Sequence, residues 1–146
     1  MDYIINPVKM GGLVKAVAED KIKVHLFGRL GVITVPKSLV ITDEPLSPGT
    51  ETEFYFSYIQ MVEDPFDYDS SDMTTDHEIA PCLLGGKITE VNDTAIEVTI
   101  MNGLGTIGVP RRWAFTPATL EEGQDVEFYF SCMNVVGKRN IPVESI

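Results

Sequence analysis

The chain has 146 residues, 44% of them hydrophobic, and a formal net charge of −11. That length allows one ordinary core or two small ones, and no apolar run reaches the ~18 residues that a membrane-spanning helix requires. The opening, MDYIINPVKMGG, has no basic stretch followed by an apolar one, so no signal peptide is expected and the expected compartment is the cytoplasm.

From residue 11 onward the chain reads as short strands divided by turns. GLVKAV is a strand, and Ala18-Glu19-Asp20 is a polar turn. KIKVHL follows with Ile22, Val24 and Leu26 at period two, the spacing of a strand with one buried face. A glycine turn at 28–31 leads to a third strand that stops at Val35-Pro36, where proline cannot donate to a ladder. Residues 37–48 are irregular, and Pro45 and Pro48 argue against a long helix there. Gly49 then turns the chain into TEFYFSYIQMV, which reads as one long strand.

The same series then recurs. Residues 11–62 align with 85–136 at a constant offset of 74, without a gap, and 19 of 52 positions are identical. LGVITVP returns as LGTIGVP, Gly49 returns as Gly123, and the pentapeptide EFYFS occurs at 53–57 and at 127–131. A period of this length is too long for a solenoid and fits one small domain made twice. The expected organisation is a first unit over 1–62, an acidic linker over 63–81 and a second unit over 82–146. The second copy also reads as a hairpin and a fifth strand at 141–143. The first copy has no visible equivalent, and its N-terminal DYIINPV is a candidate to fill that gap.

Charge follows the same division. The first unit carries −1, the connector −7 and the second unit −3, so the acidity is concentrated between two nearly balanced units. Within the connector, DYDSSDMTTDHE at 67–78 has acidic and hydroxyl residues near the positions of a calcium loop. However, Asp72 stands where the sharp turn needs glycine, and Pro65 and Pro81 replace the flanking helices. A solvated linker is the simpler reading, with no metal and no cofactor expected.

The order G-x-V-x-x-V, turn, I-x-V-x-L, G-x-I-x-V-P, loop, G-x-x-V-x-F-x-F resembles the S1-type branch of the OB-fold in both copies. The tandem pattern is also similar to that of uncharacterised clostridial-type proteins, which implies no activity. The OB-fold resemblance implies an all-β protein of two tandem OB/S1-like small β-barrels related by internal duplication, and it implies ligand or RNA binding. The stacking residues expected on the second and third strands of such domains are absent: Lys21, Lys23 and His25 in one copy, and Ala95, Glu97 and Thr99 in the other, provide no aromatic. Lys15, Lys21, Lys23 and His25 form one basic cluster. Arg111, Arg112, Lys138 and Arg139, with Trp113, form the candidate contacts of an RNA-binding alternative. Leu39 matches Trp113 in the other copy, so a core role for the indole competes with a cation–π role.

Alternation asks only Phe54, Phe56, Phe128 and Phe130 to stay apolar, yet Glu53, Tyr55 and Ser57 also recur as Glu127, Tyr129 and Ser131. Three explanations are open. The strand bends so that both faces meet the core, or the tyrosines pack across a pseudo-two-fold or a homodimer, or they line a ligand site. The second is adopted, which makes Tyr55, Tyr129, Glu53 and Glu127 the candidate inter-repeat or partner contacts. With two histidines, two cysteines lacking metal-type spacing and no nucleophile–base or phosphate-loop motif, no catalytic residue can be assembled. The sequence therefore points to a non-catalytic module that recognises a protein or a small ligand.

Overall fold

The structure is a computed structural model that describes residues 7–28, 31–42, 45–62, 74–75, 78–115 and 119–138. Residues 1–6 and 139–146, and most of the acidic connector with its candidate calcium loop, lie outside the described residues. The C-terminal fifth-strand candidate falls there, as does the N-terminal DYIINPV apart from Pro7 and Val8, and Val8 is the first residue of the strand Val8–Val17.

The described residues are strands joined by turns and three short 3-10 segments. The first copy supplies β1 (Val8–Val17), β2 (Lys21–Leu26), β3 (Val32–Pro36), β4 (Val40–Ile41), β5 (Thr50–Phe56) and β6 (Ile59–Met61). A two-stranded hairpin, β7 (Thr74–Thr75) with β8 (Glu78–Ile79), follows. The second copy supplies β9 (Cys82–Val91), β10 (Ala95–Ile100), β11 (Thr106–Pro110), β12 (Ala114–Phe115), β13 (Asp125–Phe130) and β14 (Met133–Lys138). Period-two alternation is realised in β2 and β10, where Ile22, Val24, Leu26, Ile96, Val98 and Ile100 are all buried. Pro36 and Pro110 end β3 and β11, as their missing N–H requires.

All of these strands except the β7–β8 hairpin belong to one sheet. Within it, β13, β9, β10, β11, β3, β2, β1 and β5 follow one another, and a bridge between Phe130 and Phe56 joins the ends into a ring of eight strands. Each copy contributes four consecutive members, so the copies meet at two seams. At one, β3 and β11 pair antiparallel with Ile33 opposite Ile107; at the other, Phe56 faces Phe130. Both pairs join residues 74 positions apart, the offset of the sequence repeat.

The flanks cross over. TEFYFSYIQMV is not one strand: it breaks at Ser57-Tyr58, and β6 runs on to pair with β13 of the other copy, Gln60 opposite Glu127. In return β14 pairs with β5, Asn134 opposite Glu53. The short strands β4 and β12 add to the outside, parallel to β14 and β6. The break has a physical cause. Ser57 and Ser131 are buried, and each turns its hydroxyl onto the carbonyl of the next residue, Tyr58 at 2.9 Å and Cys132 at 2.7 Å. An oxygen that satisfies the chain's own backbone in this way competes with the ladder and ends the strand.

A single apolar cluster fills the ring. Phe54, Phe56, Phe128 and Phe130 are fully buried, with Phe54 edge-on to Phe130 (5.8 Å between centroids) and Phe56 edge-on to Phe128 (6.0 Å). Edge-to-face contacts of this kind contribute roughly 0.5–1.5 kcal/mol each beyond burial. Eight-stranded rings have interiors that side chains can fill completely.

Candidate functional site

The recurrent pentapeptide lies on the Phe56–Phe130 seam. The backbone N–H of Tyr55 donates to Ser131 Oγ at 2.8 Å, and the N–H of Tyr129 donates to Ser57 Oγ at 2.8 Å. Each serine thus accepts from the opposite copy while donating to its own chain. Glu127 is buried and accepts a hydrogen bond from Gln60 Nε2. Glu53 instead pairs with Lys9 Nζ at 3.2 Å, and the same ammonium lies 5.7 Å from the Tyr55 ring centroid. The tyrosine rings are half-buried. Here the copies touch through tyrosine backbone and serine hydroxyl, within one chain.

The second-copy cations are placed differently from one another. Arg111 Nη1 donates to the carbonyl of Asn92 at 2.9 Å, while Arg112 is exposed. Trp113 is buried, stacked on Phe56 at 6.2 Å and on Tyr58 at 4.1 Å, and its Nε1–H donates to the Ser57 carbonyl at 2.9 Å. Lys138 ends β14, and Arg139 lies outside the described residues.

A cleft of about 480 Å³ opens between the ends of β1 and β2 and the start of β3, a size suited to a small molecule. Leu13, Lys15, His25, Phe27, Gly31 and Val32 line it. The register explains why these residues meet. Leu13 is opposite His25 and His25 is opposite Val32, so all three share one face of the sheet. Lys15 stands at the irregularity between Val14 and Ala16, where β1 carries an extra residue. Phe27, 40% exposed, follows the last residue of β2. A Cβ on Gly11 would come within 2.9 Å of Phe27 Cδ2, so the ring rests against bare glycine backbone.

Burial first, then the nearby charges of Lys15 and Lys23, push the His25 imidazole below its ordinary value, which favours the neutral ring at neutral pH. Lys15, Lys23 and His25 were visible in the sequence as a basic cluster. Phe27 was missed as part of a site although it follows Lys23 and His25 at period two: its N–H still donates to the Gly11 carbonyl, so pairing with β1 runs on past Leu26.

Two other cavities, of about 320 and 380 Å³, lie where residues of both copies meet, beside Val135 and beside Gly105. Cys82 and Cys132 are buried free thiols, and burial pushes the Cys132 thiol up. Among the described residues, no three His, Cys, Asp or Glu side chains group to hold a metal ion, and no helix is long and apolar enough to cross a membrane.

No family model matches the chain, and no curated protein matches it. A solved structure of the cytoplasmic molybdate-binding protein ModG with molybdate bound is similar at 18% identity, covering 88% of this chain and 96% of that one, with a TM-score of 0.28.

Proposed function

We propose that the protein is a non-catalytic recognition module that binds a small ligand in the cleft beside β2. The observation that carries this reading is the cleft itself, where an exposed aromatic ring, an imidazole and a lysine converge over an apolar floor of Leu13 and Val32. The architecture we infer is an internal duplication of an OB/S1-like unit, 1–62 and 82–146 joined by the acidic connector 63–81, with the last strands exchanged between units. The pairing of Ile33 with Ile107 and of Phe56 with Phe130 supports it. Tyr55, Tyr129, Glu53 and Glu127 then serve the seam between units. Free thiols at Cys82 and Cys132 suit a reducing cytoplasm.

The RNA-binding alternative through Arg111, Arg112, Trp113, Lys138 and Arg139 has less support, because Arg111 is held by Asn92 and the Trp113 ring is spent on Phe56 and Tyr58. The test is an amide-resolved NMR spectrum of the full chain, recorded with a protein-free cell extract and separately with single-stranded RNA. Shifts gathered at Leu13, His25 and Val32 on adding nuclease-treated extract are expected. A cleft that stays silent to the extract while RNA moves the residues around Arg112 rejects the reading.

A further inference from the structure

The cleft's chemistry narrows what can enter it, and the second copy shows by contrast which residues were placed for that purpose. At the positions matching Leu13, Lys15, Lys23, His25 and Phe27, the second copy has Lys87, Thr89, Glu97, Thr99 and Met101. Met101 covers its glycine differently: its sulfur accepts the N–H of Gly85 at 3.3 Å. Between these two sets of matching positions, the aromatic ring, the apolar floor and the lysines occur together beside β2, in a chain whose net charge is −11.

The sheet also sets a limit on length. Directly opposite residues share a face, and the row that begins at His25 passes through Val32 and Gly108 to Glu97 and then Glu90. A phosphate chain leaving the lysines along this face would run onto two carboxylates, which repel it. On the β5 side, Glu51 stands opposite Leu13 and closes the positive region there. One compact anionic group can lie among the cations, but a polyanion cannot continue across the sheet.

We propose that the cleft takes a small aromatic anion, with its planar ring against Phe27 and its carboxylate, sulfonate or phosphate toward Lys15, the lysine that lines it, while Lys23 lies outside the lining on the same strand as His25. This rests on the reading of the cleft as a ligand site and adds the class of ligand. A ring on Phe27 gains from offset or edge contacts, and a delocalised ring suits the lysine ammonium groups beside it. His25, whose imidazole is neutral at neutral pH, offers a hydrogen bond without adding charge.

Four probes separate the possibilities: 1-naphthalenesulfonate, 1-naphthol, inorganic sulfate and a single-stranded RNA oligonucleotide, each titrated into the full chain while the amides of His25, Phe27, Gly31 and Val32 are followed by NMR. The naphthalenesulfonate is expected to bind at these residues roughly fivefold or more tightly than the naphthol or the sulfate, in line with one surface charge contact and one ring contact. Lys15→Gln and Phe27→Leu should each weaken it about fivefold. Lys23→Gln, at an exposed side chain outside the lining, should weaken it less than Lys15→Gln does. Equal binding of naphthol and naphthalenesulfonate in the cleft overturns the anion assignment and leaves a ligand site standing. Tighter binding of the RNA at these residues overturns the length limit. No perturbation of the cleft by any probe, in a chain whose spectrum stays folded, overturns both the ligand class and the site.

Discussion

Two regions of this molecule keep the sequence repeat to different degrees. Along the seams the copies match to the partner atom: Tyr55 N–H finds Ser131 Oγ and Tyr129 N–H finds Ser57 Oγ, both at 2.8 Å. On the outer face of β2 and β10 the copies share backbone pairing and little else, with Lys23 and His25 in one and Glu97 and Thr99 in the other. A residue at a seam meets the other copy's version of itself, so a change on one side must suit both environments. An outward residue meets solvent and can change alone. Ser57 and Ser131 are of the first kind, each accepting from the opposite copy, whereas Glu53 and Glu127 have different partners, Lys9 and Gln60.

The most forceful way to break the comparison is at the β3–β11 seam. Gly31 has φ +126°, and a Cβ there would lie 2.0 Å from the Gly108 carbonyl oxygen; Gly105 has φ +110°, and its Cβ would lie 1.9 Å from the Thr34 oxygen. Each glycine thus makes room for the other copy's backbone. Gly31→Ala and Gly105→Ala should each cost about 3 kcal/mol or more in urea unfolding, since left-handed strain adds to overlap with rigid backbone. Gly123→Ala, with φ +89° and nothing within 4 Å of the new Cβ, should lose only about 1–2 kcal/mol. Similar losses at all three glycines would mean that the seam is not closely packed.

Next in size are Ser57→Ala and Ser131→Ala. Each leaves a partly buried tyrosine N–H without its serine acceptor, at a cost of about 1–3 kcal/mol. If the seam is two-fold, the two substitutions should cost alike in the same unfolding assay. A cost at one serine and none at the other would show that only one clamp forms.

Much of this fold could be read before any coordinates. The bounds of β2 and β10 match KIKVHL and AIEVTI residue for residue, because alternation over six positions with polar turns at both ends leaves no other element. The exchange of strands could not be read. TEFYFSYIQMV alternates across its whole length, and the signal that ends it is the Ser57 hydroxyl, whose partners lie 1 and 72 residues away. Local pattern carries no information about a bond of the second kind. The candidate site was half legible for the same reason: Lys23, His25 and Phe27 at alternate positions share a face by arithmetic, but Lys15 and Leu13 join them only through the pairing of β1 with β2.

A smaller effect, with the opposite sign, comes from a position where the copies differ inside the core. Thr52 is fully buried in β5, and its Oγ1 finds no hydrogen-bond partner among the described residues. The matching residue in β13 is Val126, of nearly the same shape. Thr52→Val should therefore raise stability by about 1 kcal/mol, since it removes an unsatisfied buried oxygen without opening a cavity. A loss of stability would show that the hydroxyl has a partner after all.

The least costly probe reads the outer face by pH. The imidazole of His25 is pushed below its ordinary 6.5, first by burial and then by Lys15 and Lys23. The folded state then binds its proton more weakly than the unfolded chain does. The histidine's contribution to stability is complete above pH 6.5 and is lost as pH falls through the folded value. The chain has two histidines, so a His77→Gln variant leaves one imidazole signal to follow by NMR. Its midpoint should lie below 6.5 and should move upward in Lys15→Gln and Lys23→Gln. Because burial is the larger cause, the double lysine variant should still titrate below 6.5. A midpoint restored fully by removing the lysines would place His25 in open solvent and take away the wall it provides to the cleft, whereas one insensitive to them would remove the positive field that sets this copy apart from the other.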